Sequence, residues 1–243
     1  MSYQITSNPR AFWFPGPWVG GITMILAPLL LFTGVLLRIR YNFFFPDQLQ
    51  AYKENPTLMF SAYSFFLAGN ILLWPAVITL AQLIGNKKPG WAMWGGIFVM
   101  FGLFARTFHA GADHLAFQLV NVQGIETATK AVADSYGAPH IISTLSLLII
   151  AGWTILAIGA YLSRTLNIWC SVALALMSAL MMGVLKGSSV VSVIATAGLC
   201  IAFVPAGLKL LKELPAPGYK VIAGWTVFII VFVVLLFVIG RAG

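Results

Sequence analysis

The feature that most constrains the fold of this chain is a series of seven apolar stretches, each long enough to cross a lipid bilayer as a helix. The hydrocarbon core of a bilayer is about 30 Å thick, and a helix of about 20 residues spans it. The stretches are 18–37, 58–84, 91–119, 141–162, 168–185, 189–211 and 221–239. None has the period-two alternation of a barrel strand. The sequence therefore predicts an all-α, polytopic integral membrane bundle with seven transmembrane helices.

Composition agrees with this class and limits the partners. Hydrophobic residues make up 60% of the chain and charged residues 8%, whereas soluble domains carry about 25% charged residues. The formal net charge is +8. In a membrane protein, Lys and Arg in short loops set orientation, so we predict the lipid bilayer as a partner and no nucleic acid. The distribution of Lys and Arg between the two sides slightly favours an N-in, C-out orientation.

Nothing along the chain separates one domain from another, so residues 1–243 are predicted to form a single transmembrane domain. The first residues do not resemble a cleaved signal peptide, and we expect a multi-pass protein of the cytoplasmic (inner) membrane of a prokaryote. Two loops, 41–56 and 121–139, exceed hairpin length and lie on the predicted outer side. Residues 125–133 could form a short interfacial helix. Both loops could be plain connectors or a lid.

The third stretch carries an unusual cluster of ionisable residues. Arg106, His109, Asp113 and His114 lie within nine residues, and such groups are expensive to place in or near hydrocarbon. On a helix, the first three fall within about 60° of one another and His114 lies on the adjoining face. His140 opens the fourth stretch on the same predicted side. Three histidines and one carboxylate are therefore expected to converge near the outer leaflet.

Four interpretations of this cluster remain open from the sequence. His109, Asp113, His114 and His140 could bind zinc or another divalent transition metal, with one position open for water. Asp113 and the histidines could form a proton or ion relay, or two histidines could bind haem. Finally, Arg106 could simply pair with Asp113 as a structural element. Arg106 would equally suit an anionic group such as a phosphate or carboxylate.

The leading functional hypothesis is a membrane-embedded enzyme, such as a hydrolase, acting on a lipid-like or small apolar substrate. Arg106 and Asp113 would be its catalytic residues, beside the metal or acid/base site. The alternative is a small-molecule or proton-coupled transporter or binding protein that uses the same cluster. In either case Arg106 is predicted to face the bundle and to hydrogen-bond Asp113 or backbone carbonyls. Asn70 is predicted to form an interhelical hydrogen bond, and Lys186 to be a flanking charge at a turn.

Overall fold

A computed structural model describes residues 13–138, 141–180 and 182–240, without the side chain of Ser143. This part of the chain is helical and contains no strand. Its helices are α1 (Pro17–Leu37), α2 (Phe45–Glu54), α3 (Pro56–Gly85), α4 (Pro89–Gln123), α5 (Ile125–Ser135), α6 (Ile141–Leu162), α7 (Ile168–Ala175), a 3₁₀ helix (Leu176–Ala179), α8 (Val190–Lys212) and α9 (Tyr219–Gly240).

Six of these helices are long and apolar enough to cross a membrane: α1, α3, α4, α6, α8 and α9. They match six of the seven predicted stretches and confirm the class of polytopic helical membrane protein. Two helices are longer than a bilayer requires. With 30 residues in α3 and 35 in α4, they extend about 45 Å and about 52 Å. One end of each therefore projects beyond the hydrocarbon core. The N-in, C-out orientation stays a prediction.

The fifth predicted stretch is not a continuous helix. It begins with α7, where the Asn167 side chain accepts a hydrogen bond from the Cys170 nitrogen (2.8 Å), and continues through the 3₁₀ helix. Residues 180–189, here called the irregular segment, then follow without helical structure in their described part. Two of them have positive φ, Gly183 (144°) and Leu185 (50°). The twelve helical residues rise only about 18–20 Å, which is well short of the hydrocarbon thickness.

The most extensive helix pairs, α1 with α3, α3 with α4 and α4 with α6, pack antiparallel and closely. A Cβ atom at Gly69 of α3 would lie 2.7 Å from the Leu31 nitrogen of α1, and one at Gly152 of α6 would lie 2.6 Å from the Val99 nitrogen of α4. Such contacts between small residues and backbone are typical of membrane helices. The end where α1 and α4 finish and α3, α6 and α8 begin is called the site end. The irregular segment reaches it, because the Gly187 nitrogen donates to the Phe43 carbonyl (2.8 Å).

A second, smaller core covers the site end. Helices α2 and α5 pack there against α3 and the last turns of α4, with Leu49, Met59 and Phe117 among the buried side chains. The short helix predicted at 125–133 is present as α5, and its location at the membrane interface stays a prediction. The loop 41–56 differs from a plain connector because it contains α2. Leu185 of the irregular segment is fully buried in this core, so the cover and the segment are packed together.

The described residues up to Leu211 form one compact unit, and those from Lys212 form another. The second unit contains α9, a helix of 22 residues. Its only charged residue is Lys220, in the first turn. At about 33 Å, α9 has the length and composition of a transmembrane span.

Candidate functional site

Two charged side chains of α4 hydrogen-bond the backbone of the irregular segment. Arg106 donates from Nη2 to the Leu180 carbonyl oxygen (3.0 Å), and an oxygen of Asp113 accepts from the Leu185 nitrogen. Arg106 is 7% exposed and Asp113 is 8% exposed. Backbone that leaves helical structure at membrane depth needs partners for its open polar groups. These two side chains supply them, one as donor and one as acceptor.

A small cavity, here called the polar pocket, lies between α1, α3, α4 and the irregular segment. Its volume is about 50 Å³, enough for a few water molecules or one group of the size of a carboxylate or phosphate. Its polar side chains are Arg38, Tyr63, Arg106, His109, Asp113, Lys186 and Ser192. The pocket is therefore built from the α4 cluster together with polar residues that are distant in sequence.

Arg38 is the second buried guanidinium of the polar pocket. It is 4% exposed, although Arg40, two residues further along, is exposed. Its Nε donates to the Ser188 hydroxyl (3.2 Å) in the irregular segment. Its Cζ lies 4.4 Å from the centre of the Tyr63 ring and 4.7 Å from that of Phe66, which are favourable cation–π distances. Arg38 thus joins α1, α3 and the irregular segment.

Arg106 lies against the same phenyl ring as Arg38, with its Cζ 5.8 Å from the centre of Phe66. Its hydrogen bond to Leu180 uses one nitrogen of the guanidinium. Among the described residues, the buried Nε of Arg106 has no hydrogen-bond partner. Buried donors of charged groups are normally satisfied. An additional acceptor in the pocket would therefore complete the hydrogen bonding of the Arg106 guanidinium.

The charge balance of the polar pocket favours an anion. Three cationic side chains, Arg38, Arg106 and Lys186, line it together with one carboxylate, that of Asp113. Buried charges are stable only when they are paired or well hydrogen-bonded. Guanidinium groups bind carboxylates and phosphates with matching geometry. A divalent cation in the same space would meet net repulsion.

Lys186 is held by aromatic rings rather than left as a flanking charge. Its Nζ lies 5.2 Å from the ring centre of Phe43, 5.7 Å from that of Phe44 and 5.3 Å from that of Tyr136. These rings come from the α1–α2 connection and from the chain after α5. Cation–π contacts of this kind fix an ammonium without neutralising it. The three rings thus hold the Lys186 ammonium beside the pocket.

A larger cavity, here called the apolar groove, adjoins the polar pocket. Its volume is about 530 Å³, and its apolar lining includes Leu115 and Leu119 of α4 and Val132 of α5. His109, Met182 and Gly183 line both cavities. His109 is half-buried, and its Nε2 lies 3.5 Å from the Ser146 hydroxyl of α6. His109 therefore stands at the boundary between the polar and the apolar space.

The structure brings together three of the predicted site residues, Arg106, His109 and Asp113. His114 is exposed and lines neither cavity, because one further residue turns it about 100° around α4 from Asp113. His140 lies outside the described residues. The prediction for Arg106 is confirmed in one of its two forms, since Arg106 faces the bundle and bonds a backbone carbonyl. Within the described part, no ion pair joins it to Asp113.

The metal prediction gains no support from the residues that the structure describes. Among them, no three His, Cys, Asp or Glu side chains are grouped so that they could hold a metal ion. Because His140 lies outside that part, a site that includes it stays a prediction. Asn70 behaves as predicted and joins α3 to α4, donating to the Leu103 carbonyl (3.2 Å) and the Thr107 hydroxyl (3.1 Å).

Sequence reasoning did not place Arg38, Lys186 or Ser192 in the site. Arg38 and Arg40 both follow the first apolar stretch, and nothing local distinguishes the buried one from the exposed one. Lys186 followed by Gly187 and Ser188 has the composition of an ordinary turn. A usable signal was the polar run Lys186-Gly187-Ser188 directly after the fifth stretch, together with two charges on the third, since backbone that leaves a helix needs polar partners.

Fold and site together define a polytopic helical membrane protein with a cationic pocket beside an interrupted helix. Comparison of the chain with protein-family models, with curated proteins and with solved structures finds no match.

Proposed function

We propose that this chain is a membrane-embedded binding protein or transporter for a small molecule with an anionic group, held in the polar pocket. The observation that carries the proposal is the buried Arg106, whose Nε has no partner among the described residues and which lines a pocket with an excess of positive charge. A carboxylate or phosphate would accept from Arg106 and lie near Arg38. The ligand would thereby offset the cost of burying both guanidinium groups.

The interruption of the fifth stretch supports a transport function. Many transporters bind their substrate where a membrane helix is discontinuous, because the open backbone groups and helix ends contribute to the site. Here the irregular segment, which follows the 3₁₀ helix, forms one wall of the pocket, with Leu180 and Gly183 in its lining. A segment without helical hydrogen bonds can change conformation at lower cost than a continuous helix. Movement of this wall would open the pocket.

The experiment compares two variants, each of which replaces one arginine with glutamine and so removes one positive charge. Purified protein in nanodiscs of a zwitterionic phospholipid is heated with inorganic phosphate, acetate or octanoate, and its melting temperature is recorded. A ligand at ten times its Kd stabilises the folded state by about 1.4 kcal/mol. We expect the wild type and Arg40→Gln to melt higher with at least one of these anions, and Arg106→Gln to lose the increase.

Arg40 is the matched control because it is exposed and its guanidinium contacts the neighbouring Tyr41. Gln at position 106 ends two bonds short of the Arg106 Nη2 that donates to the Leu180 carbonyl, so the melting temperature of this variant without ligand shows whether the irregular segment tolerates the loss of that hydrogen bond. If none of the three anions stabilises the wild type, or if Arg106→Gln responds as the wild type does, the proposed function is wrong.

A second candidate function, the membrane hydrolase expected from the sequence, is favoured by the position of His109. Its imidazole lies at the boundary of the two cavities, with Nε2 3.5 Å from the Ser146 hydroxyl. A general base acts at about 2.6–3.2 Å, and such contacts are often longer without substrate. We expect such an enzyme to hydrolyse p-nitrophenyl octanoate and to lose this activity in His109→Ala but not in His114→Ala, where the histidine is exposed.

The same preparations test the metal prediction. If a transition metal is bound through His109, elemental analysis of the wild type shows a stoichiometric amount that His109→Ala lowers, because losing one ligand removes much of the binding free energy. For the hydrolase itself, equal rates of p-nitrophenyl octanoate hydrolysis in His109→Ala and His114→Ala would contradict the proposal.

A further inference from the structure

We infer that the ligand of the polar pocket is a single-chain anionic amphiphile, such as a fatty-acid carboxylate, whose chain lies in the apolar groove. This inference rests on the proposed function and specifies its substrate class. The two cavities share His109, Met182 and Gly183 in their linings. Their combination therefore matches a molecule with a small charged head and a larger apolar part.

The sizes of the two cavities assign the head and the chain. The polar pocket, at about 50 Å³, has room for a head group but not for a chain. The apolar groove is about ten times larger, at about 530 Å³, and its wall is formed mainly by the apolar side chains of α4 and α5. A cationic pocket at the end of an apolar groove is complementary to an anionic amphiphile and unfavourable for a cationic one.

The position of the boundary supports the same arrangement. Gly183 has no side chain, and its φ of 144° is a conformation that other residues rarely adopt. A larger residue there would add bulk where the two cavities adjoin. Residues of α4, α5 and α6 border the groove, and Leu115 in its wall is exposed. A chain could therefore enter sideways from the bilayer while its head group reaches Arg106.

The test varies the chain at constant head group and the head group at constant chain. Binding to protein in zwitterionic nanodiscs is measured by isothermal titration for acetate, octanoate, octanol and octyltrimethylammonium, with empty nanodiscs as the blank. Each methylene that leaves water strengthens binding about fourfold. We expect octanoate to bind at least about tenfold more tightly than acetate, even if only two or three methylenes are buried. The alcohol and the ammonium compound should bind far more weakly than octanoate.

Two tryptophan variants localise the chain. Ala131 is exposed and lines the apolar groove, so Ala131→Trp should weaken octanoate about tenfold and leave acetate unchanged. Val122 is exposed on α4 and lines neither cavity, so Val122→Trp should bind both ligands as the wild type does. Melting temperatures of the two variants without ligand show whether each is folded.

The possible failures are distinguishable. If acetate and octanoate bind equally and Ala131→Trp has no effect, the amphiphile inference is wrong while the anion site stands. If octanol binds as well as octanoate, the charged head group does not contribute to binding and the amphiphile inference is wrong. If Arg106→Gln leaves the binding of both acetate and octanoate unchanged, the head group does not occupy the polar pocket and both proposals are wrong. If no ligand binds, both are likewise overturned.

Discussion

Replacement of Asp113 tests whether the α4 cluster holds the irregular segment in place. The relevant contact is the hydrogen bond from the Leu185 nitrogen to a carboxylate oxygen of Asp113. Leu185 is fully buried and has a φ of 50°, an unfavourable value for a leucine. Its backbone conformation must therefore be stabilised by its surroundings. Asp113 and the smaller core are the surroundings that do so.

The comparison of Asp113→Asn with Asp113→Val isolates this hydrogen bond. Both variants remove the charge and have similar volume, but only Asn keeps an oxygen that accepts from the Leu185 nitrogen. A buried donor left without a partner costs about 1–3 kcal/mol. A difference of about 2 kcal/mol corresponds to about 4–8 °C in melting temperature for a protein of this size. We therefore expect Asp113→Val to melt about 4–8 °C below Asp113→Asn.

The assay is thermal unfolding in nanodiscs, followed by intrinsic tryptophan fluorescence, with limited trypsin digestion at a temperature below unfolding. Lys186 lies one residue after Leu185, so loosening of the irregular segment should increase cleavage after Lys186 in the Val variant. The matched control is Asp134, whose exposed carboxylate pairs with Lys130 at 2.8 Å. Because exposed pairs contribute little, Asn and Val at position 134 should melt alike.

Equal melting temperatures of Asp113→Asn and Asp113→Val, with equal cleavage after Lys186, would refute this reasoning. The Leu185 nitrogen would then have another acceptor, and the carboxylate would not be needed to hold the segment.

Three further predictions concern packing and polar contacts. Gly152→Ala should lower the free energy of unfolding by about 1–3 kcal/mol, because the added carbon meets the α4 backbone. Gly111→Ala should not lower it, since nothing beyond the nearby backbone of α4 itself lies within 4 Å of the added carbon. Equal losses in the two variants would contradict the close approach of α4 and α6. Lys186→Met should lower the melting temperature, because cation–π contacts contribute about 0.5–2 kcal/mol, and Lys186→Arg should keep most of this stabilisation. An unchanged melting temperature in the Met variant would show that the three rings do not stabilise the ammonium. Asn70→Leu should cost at most about 1.7 kcal/mol, the upper range for interhelical hydrogen bonds in membranes, and a larger loss in thermal unfolding would mean that Asn70 does more than join α3 to α4.

The sequence alone determined the class of protein and the places of six helices. A bilayer requires about 20 apolar residues per helical span, and this requirement can be read directly from hydropathy. It also determined that Arg106, His109 and Asp113 share one face of α4, because that relation depends only on helical periodicity. The cluster is a candidate site on sequence grounds alone, because charge is costly to place in hydrocarbon.

Only the tertiary structure decided what those residues contact. Hydropathy describes the fifth stretch as one more span, whereas the fold interrupts it after Ala179 and uses Arg106 and Asp113 to satisfy its backbone. Arg38 and Arg40 are equivalent by local sequence, yet one is buried beside Ser188 and the other is exposed. Such differences arise from contacts between residues as much as 150 positions apart. Local periodicity carries no information on these distant contacts, because they depend on how the helices pack together.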